Sequence, residues 1–168
     1  MKKKKAIRLY NILFPIWLLV FIPSPLWLAL IPLNYAIDCF VLRRSLGNAE
    51  DTDGICSRCE WKVCLAGFAA DLAGAAFLFA EMLLSDRFLP WLSDRIGYGL
   101  SMDPFHNIWT FCSVLAGVAI SAAVIFFADR AILRKDGLDE STSMRAARNL
   151  AVFTAPYLFF LPSRLIYR

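Results

Sequence analysis

The sequence predicts an all-α fold, a polytopic bundle of four or five membrane helices that opens with a proline-broken hairpin. Three observations lead there. Hydrophobic residues make up 59% of the 168, charged residues only 19%, and the mean hydropathy is +0.56. A soluble domain carries about a quarter charged residues. Residues 63–84 and 108–128 are apolar runs long enough to cross a hydrocarbon core of about 30 Å as helices. A third apolar stretch, Leu9 to Leu42, is punctuated by Pro15, Pro23, Pro25 and Pro32.

Taken as one helix, Leu9–Leu42 would be about 50 Å long, too long for one crossing. Pro23-Ser24-Pro25 removes a donor and restricts Ser24, which favours a turn. The stretch therefore reads as two arms, 9–22 and 26–42. Basic residues cluster on the cytoplasmic side of membrane proteins. A hairpin places 14 of the 18 Lys and Arg residues on one side, whereas a single span divides them evenly. The hairpin is expected, with the N-terminus cytoplasmic in a multi-pass protein of the plasma membrane. Four lysines precede the first apolar residues without a small-residue cleavage site, so the segment reads as an uncleaved anchor.

Residues 43–62 read as a polar loop. Gly47, Asn48 and Gly54 act as breakers, and Glu50, Asp51 and Asp53 as a solvated acidic group. Over 63–84, Ala66, Ala70 and Gly74 repeat every four residues with Gly67 on the next row, a face for close helix packing. Asp71 falls on the stripe of Gly67, Gly74 and Ala75 and should face protein; Glu81 should reach water at the outer end. Residues 85–107 form the outer connection. Phe88, Trp91 and Leu92 mark a short interfacial helix, and Gly97, Gly99 and Asp103-Pro104 make the turn. Over 108–128, Ser113, Gly117 and Ser121 offer a matching small face, and Asp129-Arg130 with Arg134-Lys135 stop the span. Ser141 or Thr142 caps the next helix. Residues 150–162 then enter the membrane, interrupted by Pro156. The chain thus reads as a single integral membrane domain, 1–168.

Two groups of residues can carry chemistry. Asn34 and Asp38 share a helix face, and with Asp71 they form either a proton or cation relay or a polar clamp between helices. Cys56-x2-Cys59 with Cys64, and Cys39 at the same face, fit a zinc site, a redox dithiol, or packed free thiols. His106 has no ligand-spaced neighbour and reads as a surface residue. No Ser-His-Asp grouping, phosphate loop or H-E-x-x-H motif is present, so neither catalysis nor a cofactor is expected. The net charge of +4 sits beside apolar spans and does not indicate nucleic acid.

The C-x2-C at Cys56–Cys59 resembles the disulfide-forming quinone reductases, which place such a pair outside the first span. That resemblance implies thiol oxidoreductase activity, but those enzymes need a second cysteine pair and 85–107 contains none. The segments Asn11–Leu19, Trp27–Asp38 and Phe153–Phe159 resemble a group of small bacterial membrane proteins to which no activity attaches. The expected role is a non-catalytic accessory or interaction subunit in the lipid bilayer, with a membrane protein or a second copy as partner. The alternatives are a small oligomeric transporter or channel using Asp71 and Asp38, and the thiol oxidoreductase.

Overall fold

The computed structural model describes Trp17 and residues 27–47 and 51–165. The described residues are all-helical: α1 (Trp27–Leu46), α2 (Thr52–Phe88), α3 (Pro90–Met102), α4 (Ile108–Lys135) and α5 (Glu140–Phe153), then 3-10 turns at Tyr157–Phe160 and Ser163–Leu165. Apart from Trp17, the arm expected at 9–22 lies outside the described residues, as does the proposed turn at Ser24.

α2 and α4 form the antiparallel centre. At Gly74 a Cβ would stand 2.7 Å from the Gly117 carbonyl oxygen and would overlap the Ser121 hydroxyl. Ser121 Oγ donates to the Ala70 carbonyl at 2.8 Å, and Leu78 covers Gly117. Backbones this close are possible only where side chains are missing or small. α1 packs on α2, and α5 packs on both α4 and α1, closing a four-membered ring. One core, at the end rich in arginine, joins Leu42, Leu46, Val63, Ile125, Leu133 and Leu150. α5 stops at Phe153, so it fills only this half. The other half is closed by α3, by Phe159 and by Trp17, whose indole Nε1 donates to the Leu100 carbonyl at 2.9 Å.

Several expectations change. Residues 52–62 are not loop but the first turns of α2. Ile55, Cys56, Cys59 and Val63 are buried at helical spacing against α1 and α4, and that packing overrides Gly54 and the nearby acids. Gly97 and Gly99 lie inside α3 and do not form the turn. A Cβ at Gly99 would come 2.8 Å from Thr110 Cβ, so this glycine lets α3 approach α4. The chain turns later, between Asp103 and Asn107, where the Asn107 side chain caps α4 by accepting from Thr110 N at 2.9 Å. The cap of α5 is Asp139, not Ser141 or Thr142; it accepts from Thr142 N at 3.0 Å. Residues 150–162 are not one helix, because Thr154–Pro156 bend the chain into the 3-10 turn.

Ion pairs tie the arginine-rich end together. Arg58 of α2 reaches Asp136 after α4 at 2.9 Å and Asp51 at 3.4 Å. Arg43 of α1 meets Glu60 at 3.3 Å, while Arg130 and Arg134 both grip Glu140. The Arg58 guanidinium holds the Asp136 carboxyl below the usual carboxylate range.

The α2–α4 contact makes a differential prediction. Gly74→Ala should lower the unfolding free energy in detergent by about 1–3 kcal/mol through overpacking. Gly67→Ala, whose Cβ would meet only Asp38 Oδ2 at 3.6 Å, should leave it unchanged or raise it by up to about 1 kcal/mol through helix propensity. Equal effects at the two positions would contradict the packing described.

Candidate functional site

The site begins with a missing side chain. Gly67 presents bare backbone to α1, and the Asp38 carboxylate fills the space, Oδ2 lying 3.6 Å from where a Cβ would stand. Asp71 follows one turn along α2, on the same face. Asn34 sits one turn before Asp38 on α1. Two elements therefore bring Asn34, Asp38 and Asp71 to one wall of a single cleft. The segment from Phe153 to Pro162 also lines it.

The cleft follows from the end of α5. Once the chain leaves helical geometry after Phe153, α5 no longer runs beside residues 27–38 of α1, and a volume of about 690 Å³ opens. Trp27, Ile31, Phe68 and Tyr157 are among its apolar lining residues, and the Trp27 and Phe68 rings stack at 6.3 Å. No Lys or Arg lines it among the described residues. Its polar side chains are Asn34, Asp38, Asp71 and Thr154, with the Tyr157 hydroxyl and the Trp27 indole.

Asp38 is 5% exposed. The Thr154 hydroxyl donates to the Leu150 carbonyl at 2.9 Å. Asp71 keeps one buried oxygen, Oδ1, without a hydrogen-bond partner among the described residues.

From sequence, Asp129 of α4 reads only as part of a stop signal. It is 1% exposed, and neither oxygen has a partner among the described residues. Its burial was legible after all: Ser113, Gly117, Ser121, Ile125 and Asp129 continue one spacing of four, and all five are buried. Glu81 differs from expectation in the same direction. It turns toward α4 and accepts from Ser113 Oγ at 2.7 Å, with Oε2 buried and unpartnered among the described residues. Thr154 gave no signal, because its place depends on where α5 ends.

The cysteines separate from this site. Cys56, Cys59 and Cys64 are buried free thiols on α2, and Cys39 is half-buried on α1. Burial pushes the Cys59 thiol up to about 11, with the Asp136 carboxylate adding to the effect, and burial also raises Cys56. Both residues precede the apolar run at 63–84. Thiols held in the neutral form are poor nucleophiles and poor metal ligands. Among the described residues no group of three or more His, Cys, Asp or Glu side chains is placed to hold a metal ion. His106 is exposed, with its ring edge-on to Tyr98 at 4.9 Å.

Ala70, Gly74, Gly117 and Ser121 lie in the α2–α4 contact, whereas Gly67 faces α1 and forms part of the site. A buried carboxyl without a partner contributes no hydrogen bond that a substitution can remove. Asp129→Asn is therefore expected to leave the thermal midpoint unchanged or higher. A clear fall would show that the carboxyl has a stabilising partner. Compared with known family models, curated proteins and solved structures, the chain matches none.

Proposed function

We propose that the chain is a multi-pass membrane protein that moves protons or small cations across the bilayer through Asp38 and Asp71. α2 and α4 are long and apolar enough to cross, and in each only 33% of the most apolar stretch is buried within the molecule. The core helix of a soluble protein would be covered. Here Leu28, Leu33 and Phe40 of α1, Leu65 and Leu84 of α2, and Phe127 of α4 point outward. A helix that is apolar all round suits lipid. The end carrying Arg43, Arg44, Arg58, Lys62, Arg130, Arg134 and Lys135 is then cytoplasmic, in the plasma membrane.

The observation that carries the transport reading is that Asp38 and Asp71 line the same open apolar cleft. A charged carboxylate at membrane depth costs about 2.5–3.5 kcal/mol on insertion scales unless a proton or cation accompanies it. An accessory subunit with only a packing role would be more stable with apolar side chains at these positions. The buried oxygens of Asp71 and Asp129, unpartnered among the described residues, therefore favour ion handling over a passive role. The thiol oxidoreductase reading has no comparable support, since Cys56 and Cys59 are buried in the core.

Flux into proteoliposomes, driven by an imposed potential and read with an interior pH or cation dye, tests this. The parent chain should carry protons or an alkali cation. Asp71→Asn should lower the rate by about tenfold or more while the helical content and melting stay near the parent's. A parent chain that moves none of these ions would sink the proposal, and so would an unaffected Asp71→Asn.

A further inference from the structure

Resting on the reading of Asp38 and Asp71 as the cation site, we propose that the cleft binds a lipophilic organic cation: an ammonium or phosphonium centre on an aromatic or alkyl body, entering from the hydrocarbon layer. Charge is the first support. Two carboxylates and no basic side chain line the cleft among the described residues, so an anion is repelled and a neutral chain leaves Asp71 Oδ1 unpaired. An uncompensated buried oxygen is costly, and a cation removes that cost.

Size and surface are the second. A volume of about 690 Å³ falls in the range of about 300–1,000 Å³ that encloses a small organic molecule. It far exceeds the space needed for a bare alkali ion. The walls are mainly apolar, and the stacked Trp27 and Phe68 rings with Tyr157 offer π-faces to a positive centre. Exposed apolar lining is the third. Leu33 is 54% exposed and Leu158 52% exposed, and both line the cleft. A ligand that reaches them comes from lipid, where a lipophilic cation concentrates. Asn34 and Thr154 lie beside the carboxylates and can orient a ligand's polar substituent.

Binding of tetraphenylphosphonium to the full chain in detergent, followed by calorimetry and by tryptophan fluorescence, tests the proposal. Tetraphenylborate has the same shape and the opposite charge. The expected result is saturable binding of the phosphonium and none of the borate. Asp71→Asn and Asp38→Asn should each weaken phosphonium binding by at least about tenfold, equivalent to 1.4 kcal/mol. Asp71→Glu should retain binding, and Phe68→Ala, which leaves both carboxylates in place, should weaken it several-fold; these two variants decide the matter if an Asn variant does not fold. Equal binding of the two probes would mark an apolar groove that takes lipid chains and would overturn the proposal. Phosphonium binding indifferent to Asp38 and Asp71 would also overturn it. No phosphonium binding in a chain that still conducts protons overturns the ligand class alone, whereas loss of both overturns the transport reading as well. Carboxylate-dependent binding without ion flux upholds the site and overturns transport.

Discussion

The structure depends on how closely α2 and α4 approach. Gly74 has no side chain, and the Ser121 hydroxyl and Gly117 carbonyl occupy the space one would take. That contact fixes the rotation of α2 about its own axis. Ala70 is held against Ser121, Glu81 turns to Ser113, and Gly67 and Asp71 are directed to α1. Turning α2 by even a third of a revolution would carry Asp71 away from Asp38. In the proposed lipid setting there is little hydrophobic drive between helices, and the specificity then comes from close packing and a few buried hydrogen bonds.

The second constraint is the early end of α5. At the arginine-rich end, four helices surround one core and ion pairs bind their termini. Beyond Phe153 the chain bends and continues as a 3-10 turn, so the far half holds a different set of parts: α3, Phe159 and Trp17 close one side. Among the described residues the side toward α1 stays open. The cleft is therefore a consequence of where a helix stops, and its chemistry is set by what α1 and α2 already presented there. A longer α5 would cover Asp38 and Asp71 and leave them without access.

How much of this was legible varies by element. The small-residue stripes on α2 and α4 were visible because spacings of four need no tertiary information. The all-helical class followed from composition and run length. The start of α2 was missed because Gly54 and the flanking acids are strong local breakers, while the buried stripe of Ile55, Cys56, Cys59 and Val63 is a weaker pattern that only packing rewards. Gly99 was misread for a similar reason: its role is close approach to Thr110, which sequence shows no differently from a turn. Thr154 and the cleft wall were out of reach, since both depend on a bend whose direction no periodicity encodes. Asp129 lay within reach, on an unbroken spacing of four, but its neighbour Arg130 made it look like a terminal charge.

The central claim is that Asp38 and Asp71 hold a cation together beside Gly67. Isotope-edited infrared difference spectroscopy, recorded as tetraphenylphosphonium is added to the chain in bilayers with labelled aspartate, tests it most directly. The account predicts aspartate carboxyl bands in the difference spectrum that disappear in both Asp71→Asn and Asp38→Asn. A difference spectrum without aspartate bands, or one unchanged by those substitutions, would contradict it.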